Sequence, residues 1–338
     1  MKKKRATMKE VAKQAGVTIG TVSHVINGTA SISEQTIQKV KKAIKDLDYV
    51  PNAVAQNMRI KENRTIGLLI PKLSNIFYSR IASVVMDEAD KEEYTVLIVS
   101  YEYSLKKEER ELYSLLKNNV GTIIVINGMG DEELLQNLLK RGINVILADR
   151  RTDLEQVSYV EYDNITVMSD VVALLKEKGY QRIGYISEPL DLTNLQDRFE
   201  GYKCALKKYG YVFDSKNVFV SDSFRRDHMG QGYLFMKNLL DTKKKEELPD
   251  VFVVSSDLLA MGVLKGMMEK GYLVPRDFGI VGCDDLEISP YIHPALTTIR
   301  QDREQLGRTL WDLAKMSHEG KRSKSIKLSQ ELIVRESC

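Results

Sequence analysis

Apolar residues recur at helical spacing in residues 7–28, where the chain reads TMKEVAKQAGVTIGTVSHVING. Thr7 and Glu10 have the Ser/Thr-x-x-Glu spacing of a capping box, so a first helix is expected to begin there. Gly16 interrupts the pattern, and Thr18 can cap a second helix. The pattern therefore predicts two short helices joined by a tight turn. The second helix is expected to turn these residues outward: Thr18, Ile19, Gly20, Thr21, Ser23, His24 and Asn27.

A third helix and a short helix-prone segment follow. Ser33 can cap a helix with one apolar face, and three helices in about 40 residues make a marginal core. After Pro51, Asn52 can cap residues Ala53–Arg59, which are mostly strong helix formers. A helix of about eight residues does not stay folded alone in water. Two interpretations remain open from the pattern: a helix that forms only against a partner, or a plain linker.

From Thr65 onward, strand-like and helix-like stretches alternate. The strand-like runs are Ile66–Pro71, Thr95–Tyr101, Thr122–Ile126, Asn144–Asp149, Ser158–Tyr162, Arg182–Ser187, Val251–Ser256 and Phe278–Gly282. Amphipathic helical stretches include Tyr78–Glu92, Leu105–Lys117, Asp131–Arg141, Leu195–Tyr209, Asp257–Lys270 and Arg303–His318. This alternation predicts an α/β body of parallel sheets wrapped by helices. About 270 residues are too many for one small core, so two lobes are expected.

Charge is distributed unevenly along the chain. Residues 1–64 contain thirteen Lys and Arg against five Asp and Glu, a net charge of +8. The whole chain carries only +3, so residues 65–338 sum to −5. A solvated basic surface is the plain alternative, but a basic three-helix head with an exposed second helix is typical of proteins that bind DNA phosphates and read the major groove.

Several segments resemble the lactose/purine repressor (LacI) family of bacterial transcription regulators. The most specific are TMKEVAKQAGVTIGTVSHVING in the head and SSDLLAMGVLKGMMEKGYLVPRDFGIVGCDD near the end of the body. LDYVPNAVAQNM, IGLLIPKLSNIFYSRI, VEYDN, RFEGYKCAL, PALTTIRQD and LIVRES support them in the family's order. The resemblance covers essentially the whole chain, from Thr7 to Ser337.

The resemblance implies a helix-turn-helix head at 1–50, a hinge helix and linker at 51–64, and a two-lobed body at 65–338. The body is expected to resemble periplasmic sugar-binding proteins, whose chain crosses between the lobes three times. In this family the hinge folds when two subunits bind an operator, and the residue at the position of Met58 wedges into the minor groove. The implied DNA-binding residues are Thr7, Thr18, Ile19, Gly20, Thr21, Ser23, His24, Asn27, Asn52, Ala55, Met58 and Arg59.

Strand ends and the resemblance together indicate an effector site between the lobes. Asp149 and Asp284 each end a predicted strand, the edge at which parallel sheets bind ligands. Phe77 and Tyr78 follow the first strand, where an aromatic face can stack on a ring. The family places an effector-binding arginine at the position of Arg198. The expected effector-binding residues are Asn75, Phe77, Tyr78, Asp149, Arg198, Phe224, Ser256 and Asp284. The alternative for each is a packing or lobe-closing role.

Catalytic chemistry has little support in the sequence, and no enzyme activity, cofactor or metal is expected. None of the four histidines lies in a metal or triad motif, and the three cysteines lack C-x-x-C spacing. Gly128-Met-Gly130 lacks the third glycine of a dinucleotide loop, so a simple turn is favoured. Asp257 opens a predicted helix and is expected to be its N-cap.

Location and partners follow from the same observations. No apolar stretch follows MKKKR, and no window of 18 consecutive apolar residues exists, so a cytoplasmic protein without a membrane partner is expected. The expected partners are double-stranded operator DNA, a small-molecule effector such as a sugar or related metabolite, and a second copy of the chain. No leucine heptad follows LIVRES, so a homodimer is expected. The alternatives are a regulator controlled by a phosphorylated partner protein and, in a different class, a solute-binding protein.

Met58→Gly is expected to weaken binding to a selected operator by more than about tenfold. Unstacking one base step costs a few kcal/mol, and glycine has no side chain to insert there and offset that cost. Binding to random DNA depends on phosphate charge and should change far less. Fluorescence anisotropy with both DNAs measures the two affinities. An equal loss on both DNAs would rule out the wedge.

Overall fold

The structure is a computed structural model that describes residues 6–27, 29–49, 63–130, 132–318 and 324–338. The chain forms two compact units, Met1–Asn63 and Arg64–Cys338. The hinge residues expected from the sequence, Asn52, Ala55, Met58 and Arg59, lie outside the described residues. Their roles therefore stay predictions.

The first unit contains helices α1 (Met8–Ala15), α2 (Ile19–Asn27) and α3 (Glu34–Asp46). The predicted capping box is confirmed: the Thr7 amide donates to the Glu10 carboxylate at 2.7 Å, and the Glu10 amide donates to the Thr7 hydroxyl at 3.3 Å. Gly16 follows α1 in the left-handed region, with φ of +66°, which glycine adopts without strain.

The second and third helices begin in different ways. Thr18 caps α2 as predicted, because the Thr21 amide donates to the Thr18 hydroxyl at 3.1 Å. Ser33 precedes α3, but its hydroxyl bonds the Thr36 hydroxyl at 2.9 Å and caps no backbone amide. Val11, Val22 and Val40 belong to one buried core cluster to which each helix contributes. That shared core holds the two-helix turn in place.

The N-terminal lobe of the second unit is built on a parallel sheet with the order β11-β5-β4-β3-β1-β2. Its strands are β1 (Thr65–Ile70), β2 (Thr95–Ser100), β3 (Thr122–Ile126), β4 (Asn144–Ala148), β5 (Ser158–Tyr162) and β11 (Ser325–Leu328). Its helices are α4 (Ile76–Asp90), α5 (Leu105–Lys117), α6 (Glu132–Lys140) and α12 (Arg303–His318). Side chains of α4 and α12, such as Ile81 and Trp311, share one apolar cluster with the sheet, whereas Leu112 and Leu135 of α5 and α6 belong to another.

The C-terminal lobe has a second six-stranded sheet, with the order β12-β10-β9-β8-β6-β7. Its strands are β6 (Ile183–Ser187), β7 (Val218–Val220), β8 (Val251–Val254), β9 (Gly279–Asp284), β10 (Thr297–Arg300) and β12 (Glu331–Ile333). Its helices are α7 (Thr166–Glu177), α8 (Thr193–Lys208), α9 (Ser223–Arg226), α10 (His228–Thr242) and α11 (Asp257–Glu269), with 3-10 turns at Ser215–Asn217 and Lys245–Glu247. Strand β12 pairs antiparallel with β10, and the other strand pairs of the lobe are parallel.

The two lobes and the three crossings implied by the resemblance are confirmed. The chain passes between the lobes after β5, before α12 and between β11 and β12. The eight predicted strand-like runs correspond to β1–β6, β8 and β9 within two residues at each end. Strands β7, β10, β11 and β12 were not predicted, because none of them contains more than three consecutive apolar residues, whereas the equally short β8 is a run of four, Val251–Val254.

Within the described ranges, no helix is long and apolar enough to span a membrane. The same residues contain no group of three His, Cys, Asp or Glu arranged to hold a metal ion.

Candidate ligand cleft and nucleic-acid interface

The first turn of α2 is the most accessible part of the predicted DNA-reading surface. Thr18, Ile19, Gly20 and His24 are exposed, whereas Thr21 is half-buried. The hydroxyls of Thr18 and Thr21 lie 2.9 Å apart, so each fixes the orientation of the other. Ser23 is also half-buried, and Thr7 is exposed beside its capping partner. The small side chains at the start of α2 leave its backbone open to close approach.

His24 is held by a contact that the sequence did not suggest. Its Nδ1 lies 2.9 Å from the Thr29 hydroxyl, in the segment that follows α2. This bond restricts the imidazole to one orientation while the side chain remains exposed. A pre-oriented ring loses less conformational entropy when it contacts a base edge.

A polar cleft lies between the two lobes of the second unit, where strands of both sheets end. Asn127 follows β3 and Asp149 follows β4 on one side, while Glu188 follows β6 and Ser255 follows β8 on the other. The space at this point measures about 500 Å³, including the part open to solvent. The predicted residues that line it are Asn75, Phe77, Tyr78, Asp149, Arg198, Ser256 and Asp284.

Asp149 lines the cleft and has a strained backbone conformation. Its φ is +56°, in the left-handed region that side-chain-bearing residues rarely adopt. Its Oδ2 accepts a hydrogen bond from the Asn194 amide group at 2.6 Å, across the gap between the lobes. Its Oδ1 is buried and has no hydrogen-bond partner among the described residues. Burial raises the pKa of Asp149, although the nearby Arg198 guanidinium opposes the shift.

Asp284 ends β9 and is the second buried carboxylate of the cleft. Its φ of +129° is again in the positive range, and the side chain is only 8% exposed. Its Oδ2 accepts a weak hydrogen bond, 3.4 Å long, from the Asp257 amide. Burial, reinforced by the charge of Asp257, raises the pKa of Asp284 well above its ordinary value. Ionisation of this carboxyl group therefore lowers the free energy of unfolding.

Arg198 crosses the floor of the C-terminal lobe from α8. Its guanidinium donates to the Ser255 carbonyl at 2.6 Å and to the Asn164 side-chain oxygen at 2.9 and 3.2 Å. Gly201, one turn further along α8, permits this position, because a Cβ there would lie 2.8 Å from the backbone of Ile165. Arg198, 3% exposed, is thus held in one position, from which it lines the cleft.

The N-terminal lobe supplies an aromatic wall. Asn75 caps α4 by accepting from the Phe77 amide at 3.0 Å, which places Phe77 and Tyr78 at the helix start. Their rings meet edge to face with centroids 5.4 Å apart. The Tyr78 hydroxyl accepts from the Asn127 amide group at 3.1 Å and from the Tyr103 hydroxyl at 3.4 Å. Burial raises the pKa of Tyr78, so the phenol stays neutral.

Sequence reasoning missed an ionic cluster on the C-terminal side of the cleft. His228 Nε2 lies 2.8 Å from Glu188 Oε1, and the Ser255 hydroxyl donates to Glu188 Oε2. Although burial acts to raise it, these partners lower the pKa of Glu188 to about 2. Glu188 follows directly after β6, so the strand-end rule that selected Asp149 applied to it as well. Nothing local in the sequence pointed to His228, which α10 brings in from 40 residues away.

The structure does not place Phe224 at the cleft. Phe224 is 1% exposed in the core of the C-terminal lobe, with its ring centroid 5.4 Å from that of Phe235. Its neighbour Arg225 lines the cleft and is held by Asp191 at 2.8 Å. The helix α9 has only four residues, too few for an apolar pattern to indicate which residue points inward.

One smaller interpretation also changes. Ser256, not Asp257, is the N-cap of α11, because the Leu259 amide donates to the Ser256 hydroxyl at 3.4 Å. Asp257 is fully buried and instead accepts from the Ser289 and Thr298 hydroxyls, each at 2.5 Å.

The turn at Gly128-Met129-Gly130 holds a carboxylate of the protein itself. The Met129 and Gly130 amides donate to Glu108 at 2.8 and 3.1 Å. The simple turn favoured from the sequence therefore has a structural partner, and its amides are already occupied.

Comparison with known proteins extends these observations. Residues 7–52 match the family model described as bacterial regulatory proteins, lacI family, and residues 172–338 match a periplasmic binding protein-like domain. The chain is 31% identical to catabolite control protein A of Priestia megaterium, over 89% of each chain. It is 30% identical to the ribose operon repressor of Escherichia coli, over 91% of this chain and 92% of that one.

Solved structures are similar over the full length. The lac repressor dimer bound to operator and the anti-inducer ONPF superposes with a TM-score of 0.82 at 25% identity, covering 99% of both chains. The transcriptional regulator CelR in complex with cellobiose superposes with a TM-score of 0.73 at 29% identity, covering 99% of this chain and 100% of that one.

Asp284→Asn is expected to stabilise the second unit by about 1–3 kcal/mol at pH 7, the usual cost of burying a polar group that is hydrogen-bonded only in part. Because the folded pKa of Asp284 is raised, its penalty is absent below the unfolded pKa, about 4, and grows as pH rises. Urea unfolding at pH 4 and pH 7 measures the difference.

Asp285→Asn is the matched control, one residue along the chain. Despite partial burial, the bonds from Arg335 and Arg300 lower the pKa of Asp285, so its substitution should destabilise the protein at pH 7. A loss of stability in Asp284→Asn at pH 7 would contradict the cost assigned to Asp284.

Proposed function

The chain belongs to the LacI family of bacterial regulatory proteins, and from this premise we propose that it is a transcriptional repressor whose operator affinity is controlled by a small uncharged effector in the cleft. The head, residues 1–50, reads DNA. Residues 51–64 form the hinge, and residues 65–338 bind the effector and pair with a second copy. The similarity to the lac repressor, a dimer bound to operator, supports this division.

The basic head and the exposed start of α2 support the DNA-binding role. The net charge of +8 over residues 1–64 attracts phosphates, while Thr18, Thr21 and His24 stand where side chains reach base edges. Thr7, Ile19, Gly20, Ser23 and Asn27 complete the proposed surface of the head. Asn52, Ala55, Met58 and Arg59 of the hinge extend it into the minor groove.

Two unpartnered polar atoms in the cleft carry the proposal of a hydroxyl-rich effector. Among the described residues, Asp149 Oδ1 and Gln301 Nε2 are buried and have no hydrogen-bond partner, and both residues line the cleft. The carboxylate oxygen can only accept, and the amide nitrogen can only donate. A hydroxyl group serves both needs, because it donates and accepts. A sugar or related polyol carries several hydroxyls and an apolar ring face suited to Phe77 and Tyr78.

The charges of the cleft favour an effector without a phosphate group. Asp149, Glu188 and Asp284 bring three carboxylates to the lining. The two guanidinium groups, those of Arg198 and Arg225, already bond carbonyl, amide or carboxylate oxygens of the protein. A phosphate would lie beside these carboxyl oxygens, and both guanidinium groups of the lining already have partners in the protein. Two similar proteins are associated with sugars: CelR forms a complex with cellobiose, and the Escherichia coli protein is the ribose operon repressor.

The proposal includes a cytoplasmic location and no catalytic activity. A repressor must reach DNA, which in bacteria lies in the cytoplasm. We assign no catalytic role to the cleft. The proteins similar to this chain are regulators, and the Glu188 carboxylate is already hydrogen-bonded to His228 and Ser255.

A sugar panel tests the proposal. D-Ribose, D-glucose, D-galactose, cellobiose, glucose 6-phosphate and guanine are screened by thermal shift, followed by DNA anisotropy. An uncharged sugar is expected to shift the melting temperature and change operator affinity by about 5- to 150-fold, the usual allosteric range. Arg198→Ala should remove this response and leave basal operator affinity nearly unchanged.

Arg110→Ala, an exposed arginine on α5, is the control for that substitution and should respond as the wild type does. A response confined to glucose 6-phosphate would refute an uncharged effector. A response confined to guanine, an uncharged base without a sugar's hydroxyl groups, would refute a hydroxyl-rich effector. No response to the whole panel would favour control by a partner protein.

Substituting Thr21 or His24 by Ala is expected to change which operator bases are tolerated, with about 1–3 kcal/mol lost per base contact. Lys9→Ala, an exposed cation on α1, should weaken all sequences alike. Selection from a random DNA pool, repeated for each variant, measures the preferences. Unchanged preferences in His24→Ala would limit that residue to its bond with Thr29.

A further inference from the structure

Arg303 joins the cleft carboxylate Asp284 to the opposite lobe. It is the first residue of α12, a helix of the N-terminal lobe. Its guanidinium reaches the C-terminal lobe, where Nη1 donates to the Asp284 carbonyl at 3.1 Å and Nη2 donates to the Asp285 carbonyl at 2.9 Å. The side chain is 11% exposed, and its Nε is buried without a partner among the described residues.

The two carbonyls that Arg303 holds belong to a strained turn. Asp284 has φ of +129° and Asp285 has φ of +52°, although neither is glycine. The turn persists because side chains fix it from several directions: Arg300 bonds the Asp285 carboxylate at 2.7 Å, and Asp257 accepts from the Leu286 amide at 3.0 Å. These other contacts come from the C-terminal lobe itself. Arg303 provides a bond to the same turn from α12.

Helix α12 also contacts the opposite wall of the cleft through α4. Gly307 lets the two helices approach closely, because a Cβ there would lie 2.7 Å from the Val84 side chain. Arg80 of α4 pairs with Glu304 of α12, next to Arg303. The start of α4 carries Asn75, Phe77 and Tyr78, which line the cleft facing Asp284. A movement of the Asp284 turn therefore reaches the aromatic wall through α12.

We propose that Arg303 is a positioning residue that couples effector binding at Asp284 to α12 and the N-terminal lobe. When an effector hydroxyl bonds the Asp284 carboxylate, the turn at 284–285 adjusts and the guanidinium carries that adjustment to α12. The forked shape of the guanidinium matters, because its two donors hold two successive carbonyls. A lysine ammonium is a point charge and would fix those carbonyls less well. The N-terminal lobe is the part of the body that follows the DNA-binding head in the chain, through β1. This inference rests on the proposed function.

The first test needs no effector. Hydrogen-exchange mass spectrometry compares the wild type, Arg303→Met, Arg303→Lys and the control Arg308→Met in the full chain. Arg308 lies on the same helix but is 65% exposed, and its ion-pair partners are Glu88 and Glu304. The segment containing the Asp285, Leu286 and Ser289 amides should exchange about tenfold faster in Arg303→Met, the factor typical of a lost charge-assisted hydrogen bond. Arg303→Lys should fall between, and Arg308→Met should match the wild type.

The second test uses one sugar from D-ribose, D-glucose, D-galactose and cellobiose, the one that shifts the melting temperature of the wild type most. Coupling is measured as the ratio of operator affinities with and without that sugar. Arg303→Met should reduce this ratio toward one, with basal operator affinity kept. A purely structural role would lower the melting temperature and keep the ratio. An unchanged ratio, or unchanged exchange at 285–289, would overturn the proposal. If no panel member affects the wild type, the proposed function fails, while the exchange result still decides whether Arg303 holds the turn.

Discussion

The structure depends on burying carboxylates where the strands of two sheets end. Water stabilises an ionised carboxylate strongly, so each buried one must be bonded by the protein or raises the free energy of the folded state. The bonds from His228 and Ser255 outweigh the burial of Glu188, whose pKa is lowered. Asp257 accepts from Ser289 and Thr298, but burial still raises its pKa. Asp149 and Asp284 are compensated only in part. The remaining hydrogen-bonding capacity faces the cleft, and a ligand is the group positioned to satisfy it.

Backbone conformation keeps those groups in place. Asn127, Asp149, Asp284 and Asp285 all follow or end strands at the cleft, and all have positive φ without being glycine. Such conformations are held only when the surroundings determine them, and they concentrate at functional sites. Here each residue is held by the strand that precedes or contains it and by hydrogen bonds to its side chain or carbonyl. At Asn127, Asp149 and Asp284 this conformation accompanies a polar side chain that lines the cleft.

Direct contacts also hold the two lobes together across the cleft. Asn194 of α8 bonds Asp149, Asp197 of α8 pairs with Arg151 at 2.9 Å, and Lys72 donates to the Arg226 carbonyl at 3.0 Å. One of these contacts uses the same carboxylate that is proposed to bind the effector. A ligand that bonds Asp149 therefore acts on a group that already joins the lobes, and small changes there alter how the lobes meet.

The sequence by itself determined the elements with long, regular patterns and the chemistry that lies directly beside them. The capping box at Thr7, the strands that lie in continuous apolar runs and the strand-end carboxylates Asp149 and Asp284 follow from local spacing, because capping bonds and side-chain periodicity are properties of neighbouring residues. Tertiary structure alone decided the rest. Strands of three or four residues, such as β7 and β12, form only where a sheet edge is present to pair with them. Phe224, expected at the cleft, lies in the core, and its neighbour Arg225 lines the cleft, because packing fixes the direction of a side chain in a short helix. His228 and Arg303 contact residues of other elements, because packing across the whole body brings those elements together.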